Sequence, residues 1–185
     1  MKLNFLIDNR AGYTAGHIIK AFLLFKKPIG RNKLMKELYL NEASTRTLIK
    51  NLEKNKLIIP SVKGCILTKK GMVIFNYIKK NISGPYKLKK GKYGVSNFNI
   101  AYVFRKKANK IKLGLEQRDE AIRFGADGLT TLIYRKKLFA PGLPSHFIEG
   151  IEIKDLKNND VVLIGSAKSQ KIAEISTLNV IYKMM

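Results

Sequence analysis

Hydrophobic positions recur along this chain with two different periods, one in each half. In residues 15–27 (AGHIIKAFLLFKK) the positions Ile18, Ile19, Phe22, Leu23 and Phe25 follow a helical spacing that ends at Pro28, and in residues 31–40 (RNKLMKELYL) Leu34 and Leu38 lie four apart. Both runs predict helices. A third is predicted over residues 42–56, where Asn41 and Ser44 are N-cap residue types and no Gly or Pro interrupts. At about 100° per residue, Thr45, Leu48, Ile49 and Leu52 share one face, which leaves Arg46, Thr47, Lys50, Asn51 and Lys54 on the other. LIIPSV and CILT then flank Lys63 and Gly64, the pattern of a tight hairpin, with Pro60 restricting the first run to an edge strand. Residues 69–82 (KKGMVIFNYIKKNI) predict a helix that is apolar around most of its circumference, more than one small domain buries from one side.

Residues 83–94 (SGPYKLKKGKYG) combine Gly, Pro and Lys and read as a basic linker. Beyond them the pattern changes to strands and helices. NFNIAYVFRK alternates, LEQRDEAIRFGA has helical spacing and ends near Gly125, GLTTLIYRKK is a second strand, LFAPGL turns, DVVLIGSA is a continuous apolar run, and a last helix runs from about Lys168 into VIYKMM. The expected fold class is α+β: an N-terminal winged helix-turn-helix domain over residues 1–82, the linker, and a small C-terminal α/β sandwich-type domain over residues 95–185.

Two resemblances add to this. The segment TRTLIKNLEKNKLI running into LTKKG is similar to the recognition helix, wing and following helix of prokaryotic winged-helix transcription regulators. RDEAIRFGADGLTTLIYRKKLFAPG, residues 118–142, resembles the C-terminal domain of uncharacterised archaeal winged-helix proteins. The first resemblance implies DNA binding by the third helix and the hairpin. The second implies no defined chemistry, and its nearest functional suggestion is a regulatory or ligand-sensing role.

Charge sharpens the functional expectation. Of the 36 basic residues 21 lie in residues 1–94, together with only 4 of the 13 acidic ones, so that half carries +17 and the remainder +6. A Lys-rich composition alone has a bland explanation in an AT-rich genome or a hot habitat, but the latter predicts Glu enrichment too, and acidic residues are scarce. A polyanionic partner explains the imbalance better, with binding that weakens as salt rises. No run of about 18 apolar residues is present to span a bilayer, and the N-terminal stretch MKLNFLIDNRAG lacks the pattern of a signal peptide. A cytoplasmic, nucleoid-associated location is expected, without membrane association.

Arg, Lys, Asn and Thr on the outward helix face are the types that reach phosphates and base edges. Arg46, Thr47, Lys50 and Asn51 are therefore expected near bases, Ser44 and Lys54 on phosphates, and Lys63 along the backbone or minor groove of double-stranded DNA. The broadly apolar helix over residues 69–82 predicts a homodimer. Asp127, Thr130 and Thr131 at a helix-to-strand junction form a candidate pocket for a small-molecule effector, although Gly125 and Gly128 with Asp127 fit a plain turn better. Gly165 and Ser166 before the last helix form a weaker anion candidate.

Enzyme signatures are mostly absent. His17, His146 and the single Cys65 have no metal-ligand spacing, and Cys65 reads as a small apolar side chain between strand residues. Ser145, His146 and Glu149 lie close in GLPSHFIEG, a grouping expected by chance in a polar loop. No catalytic residue, metal or cofactor is expected. The competing expectation is an RNA-binding or architectural chromatin-type protein, which shares the charge but not the dependence on DNA sequence.

Overall fold

The computed structural model describes residues 3–8, 10–89, 91, 93–143 and 147–185. It is an α+β protein of two compact units, Met1–Lys79 and Lys80–Met184.

The first unit is mostly helical. A short 3-10 turn, Asn4–Leu6, leads to α1 (Ala15–Leu24), α2 (Arg31–Leu38) and α3 (Glu42–Lys54), then to the strands β1 (Ile58–Ser61) and β2 (Gly64–Leu67) and to α4 (Lys69–Asn81). Local chemistry sets the helix starts. Thr14 and His17 form a reciprocal capping box on α1, in which the Thr14 backbone amide donates to His17 Nδ1 at 3.0 Å. Of the two cap types at the start of α3, Asn41 is the one used: its Oδ1 accepts from the Ser44 amide at 2.8 Å. Ile18, Ile19, Phe22, Leu34, Leu38, Leu48, Leu52 and Leu57 are fully buried and form the core, each contributing on the order of 2 kcal/mol.

The two strands form an antiparallel hairpin, with Ile58 opposite Leu67 and Ser61 opposite Gly64. Its two-residue tip is Val62 and Lys63, one residue earlier than the Lys63 and Gly64 turn expected from composition. Gly64 has φ +113°, and a Cβ there would collide with the Ile29 backbone. That closeness serves a third, single-residue bridge in which Ile29 and Cys65 exchange hydrogen bonds at 3.2 and 2.9 Å.

The second unit is built on a six-stranded antiparallel sheet in the order β3 (Ile82–Leu88), β4 (Phe98–Phe104), β8 (Val161–Ala167), β5 (Gly128–Arg135), β6 (Lys137–Phe139), β7 (Phe147–Ile148). Two helices, α5 (Leu115–Arg123) and α6 (Gln170–Met184), touch each other and pack on one face, α6 over β4 and β8 and α5 over β5. The opposite face carries Ala101, Val103, Leu132, Val162 and Ile164, covered by Tyr86, Leu88, Tyr93, Ile148, Ile151 and Leu156. Gly165 points to the helix face, where a side chain would run into Thr177 and the Ala173 carbonyl of α6.

Three sequence expectations change here. Residues 83–88 are not linker: they belong to β3, hydrogen-bonded to β4 from Ile82 opposite Phe104 to Leu88 opposite Asn99. Gly84 and Pro85 sit in a bulge of this edge strand, where a missing amide costs little. Leu138 and Phe139 of the expected turn LFAPGL belong to β6, too short for a periodicity to register. Gly165 and Ser166 lie inside β8 rather than in a strand-to-helix turn, so no helix N-terminus faces them.

Candidate nucleic-acid interface

An exposed cationic surface of the first unit is built on α3. Thr45, Leu48 and Leu52 anchor one face in the core, and Arg46, Lys50 and Lys54, four residues apart, stand in one exposed stripe on the other. Arg46 Nη2 lies 2.8 Å from Glu42 Oε1, and Arg31 Nη2 from the start of α2 approaches the same oxygen at 3.5 Å. Glu42 is thereby shared by two guanidinium groups, and the cluster retains net positive charge. Lys50 and Lys54 form no ion pair with a described residue. Lys63 is exposed at the hairpin tip beside the fully exposed Val62.

Two residues expected on this surface are engaged inward. Asn51 turns inward: its Nδ2 donates to the Leu6 carbonyl at 3.0 Å and to the Tyr13 hydroxyl at 2.9 Å, and its Oδ1 accepts from Asn55 Nδ2 at 2.8 Å. An amide with its donors satisfied this way clasps the N-terminal segment, although half-buried Asn51 still lines the cleft shared with Thr47, Lys50 and Lys54. Ser44 is buried, its hydroxyl lying where a side chain on Gly12 would be, and cannot reach a phosphate. Thr47 remains half-buried at the edge of the surface, with its hydroxyl donating to the Ala43 carbonyl at 3.0 Å.

The clasp adds a group that sequence reasoning missed. Ile7, Asp8 and Arg10 lie alongside α3, and with Thr47, Lys50, Asn51 and Lys54 they line a shallow cleft of about 570 Å³. The Arg10 side chain is almost wholly exposed, with Asp8 beside it at 4.0 Å. The only local signal was the apolar pair Leu3 and Leu6, both buried. Burial pushes the Tyr13 hydroxyl above its ordinary pKa, against the opposing effect of the Asn51 hydrogen bond and with a small contribution from Asp8. The Cys65 thiol is likewise pushed up, first by burial and then by the Glu53 carboxylate, which leaves it a poor nucleophile.

In the second unit the candidate effector pocket does not assemble. Thr130 and Thr131 are adjacent on β5 and so face opposite sides of the sheet. Thr130 Oγ1 donates to the Tyr93 carbonyl at 3.0 Å, whereas Thr131 is buried toward the helices. Asp127 is exposed, its amide donating to the Ser166 carbonyl at 2.9 Å, and Gly125 with φ +85° closes the turn after α5. Ser166 Oγ donates to Asn99 Oδ1 at 2.6 Å, an internal bond in place of the anion site. Ser145 and His146 lie outside the described residues; Glu149 is exposed.

Asp160, which sequence reasoning treated only as the start of a strand, is fully buried and heavily used. It receives Arg105 Nη1 at 2.6 Å and the amides of Lys106 and Lys157 at 3.0 and 2.9 Å, which closes the loop ahead of β8. On α4, Ile74, Phe75 and Ile78 are buried within the chain, and Met72 and Val73 are the large apolar residues left exposed. No group of three or more His, Cys, Asp or Glu among the described residues is placed to hold a metal ion. No helix of the described residues is long and apolar enough to cross a membrane.

Comparison with known proteins follows the same two-part division. Residues 14–73 match the family described as PH0730-like, N-terminal domain. Residues 95–184 match a domain of unknown function, DUF4443. A solved structure, "Hypothetical protein PH0730 from Pyrococcus horikoshii OT3", is similar with a TM-score of 0.76 at 29% identity, over 93% of this chain and 92% of that one. No curated protein matches the chain. The chain is therefore similar, over nearly its whole length, to an archaeal protein.

Proposed function

We propose that the first unit is a winged helix-turn-helix that docks on double-stranded DNA, and that the protein is a transcription regulator. The observation that carries this reading is the stripe of Arg46, Lys50 and Lys54 on a helix whose opposite face is fixed in the core. α3 enters the major groove in this reading, with Arg46 and Thr47 nearest the base edges. Lys50, Lys54 and Arg10 neutralise phosphates, and Lys63 at the hairpin tip follows the backbone. Glu42 lies between Arg31 and Arg46, and its ion pair with Arg46 holds that guanidinium at the helix surface in this reading. The second unit, with its separate core, carries effector sensing or pairing with a second copy. Residual exposure of Met72 and Val73 on α4 is a small apolar area, so a homodimer would need further contacts.

A second reading, an architectural or RNA-binding protein, is favoured by one observation. With Asn51 turned inward, the exposed face of α3 is dominated by Arg and Lys, which hold phosphates without reading sequence. Incubating the purified protein with a random duplex library at about physiological salt, sequencing the retained pool and competing it with structured RNA separates the two. An enriched motif, palindromic for a dimer, supports the regulator. Retention without a motif, or displacement by RNA, replaces it with the second reading, and failure to retain any nucleic acid removes both.

A further inference from the structure

We infer that the second unit binds a small molecule bearing a phosphate group, in the cleft where three loops meet: the one after β4, the turn between β5 and β6, and the one before β8. The cleft has a volume of about 500 Å³, within the range that holds small ligands, and is lined by Lys106, Ala108, Asn109, Arg135, Asn158 and Asn159. Two of these side chains are cationic and three are amides, and no carboxylate among the described residues lines the cleft. The two carboxylates that the three loops carry are placed elsewhere. Asp160 is fully buried and engaged by Arg105 and by the amides of Lys106 and Lys157. Asp155 lines a separate hollow with Tyr134 and Leu156.

Backbone hydrogen bonds tie the three loops together before any ligand arrives, which lowers the ordering cost of binding. The Asn159 amide donates to the Tyr134 carbonyl at 2.9 Å, the Tyr134 amide to the Asp160 carbonyl at 2.9 Å, and the Ala108 amide to the Asn159 carbonyl at 3.1 Å. Asn158 Oδ1 accepts from the Lys136 amide at 2.9 Å, which occupies its acceptor and leaves its Nδ2 donors without a partner among the described residues. The side chains of Lys106, Asn109, Arg135 and Asn159 likewise form no hydrogen bond or ion pair with a described residue. Four of the six described non-glycine residues with positive φ lie in these loops: Lys106, Lys136, Asp155 and Asn159, at 53°, 63°, 61° and 71°. Such backbone is disfavoured for lysine and clusters where a site imposes its geometry. A phosphate dianion meets this lining in full. Arg135 offers a planar fork for two of its oxygens and Lys106 a point charge, and the asparagine amides donate to the remaining oxygens or to hydroxyls of the ligand body. A single carboxylate would neutralise only one of the two cations. The inference goes beyond the nucleic-acid reading and does not depend on it.

Calorimetric titration of the full chain, without nucleic acid, tests it with glycerol phosphate and inorganic phosphate as probes and glycerol and acetate as controls. Saturable binding is expected for a phosphate probe and for neither control. Lys106→Gln with Arg135→Gln should weaken it about tenfold or more, as loss of charge-assisted hydrogen bonds does. Lys50→Ala with Lys54→Ala in the first unit should leave it unchanged, which separates this cleft from general attraction to a basic protein. Lys106 and Arg135 are exposed, and unchanged thermal melting would confirm that the variant folds. Arg135→Lys, which keeps the charge and loses the fork, should fall between the parent and the double variant. Absence of saturation with both phosphate probes, equal binding of acetate, or equal losses from the two double variants would each overturn the assignment. Displacement of the bound probe by duplex DNA would identify a nucleic-acid backbone as the source of the phosphate and overturn the small molecule. Because the first titration contains no nucleic acid, its failure leaves the DNA reading untouched.

Discussion

α3 of the first unit carries its charged side chains on its outward face, whereas α6, the longest helix of the second unit, buries polar side chains along most of its length. α3 divides into a buried face and a cationic face. α6 has no such division: every residue from Ala173 to Ile181 is buried, including Glu174, Ser176, Thr177 and Asn179. The interior polar groups are satisfied locally. Ser176, Thr177 and Asn179 donate back to the carbonyls of Ile172, Ala173 and Ile175 at 2.7, 2.7 and 3.0 Å, and Glu174 accepts from the Tyr102 hydroxyl at 2.8 Å.

The largest test of this contrast is Gly165→Val. It would force a side chain into Thr177 and the Ala173 carbonyl, and should destabilise the second unit by about 3 kcal/mol, read as a lowered urea midpoint. An unchanged midpoint would mean that α6 is not seated on β8.

Asn51→Ala comes next. Removing the clasp leaves the Leu6 carbonyl and Tyr13 hydroxyl without this donor, and should cost about 2 kcal/mol with faster amide exchange in residues 3–13. If stability were unchanged while base preference shifted, Asn51 would be a reader after all and the contrast between inward and outward polar residues on α3 would fail.

The charge contrast is tested by paired lysine variants. Lys50→Ala with Lys54→Ala should lower affinity for duplex DNA about tenfold and reduce the slope of log K against log salt by about two, as expected for two lost phosphate contacts. Exposed Lys168 and Lys171 in the second unit, replaced in the same way, should leave both quantities nearly unchanged. Equal losses from both pairs would show that net charge, not the α3 surface, binds the polyanion.

The smallest effect is on alkaline stability. The folded Tyr13 and Cys65 groups hold their protons more tightly than the usual values of 10.0 and 9.0. Both states are protonated at neutral pH, so stability should stay flat there. It should then fall as pH rises past about 9, where the unfolded thiol ionises first, and further above about 10. Alkylation of Cys65 in the native protein should accordingly be slow at pH 8 and become rapid on unfolding. Rapid native labelling would place Cys65 at the surface and remove the Ile29 bridge from the hairpin.

Much of the first unit was legible from spacing because its helices are short and α1 and α3 are capped by side chains nearby. Asn41 acts three residues from the amide it caps, and Leu48 and Leu52 lie one turn apart. The site was less legible. Arg46, Lys50, Lys54 and Lys63 are exposed as their pattern implies, but Asn51 is diverted by partners 38 and 45 residues away, which no local pattern records. In the second unit, Gly84 and Pro85 read as linker because their composition does not reveal that an edge strand tolerates a bulge. Thr130 and Thr131 looked like one site because adjacency in sequence was taken for adjacency in space, which a strand denies.

The sequence by itself determined the periodic elements, the two-part division into helical and sheet-forming halves, and the concentration of positive charge in the first. Those properties depend on residue type and short-range spacing. Tertiary structure alone decided which polar groups are consumed and which stay available: Asn51 against the N-terminal segment, Asp160 against Arg105, Thr130 against Tyr93. A buried donor or acceptor must find a partner wherever the chain brings one, and that partner lies far away in sequence in each of these cases.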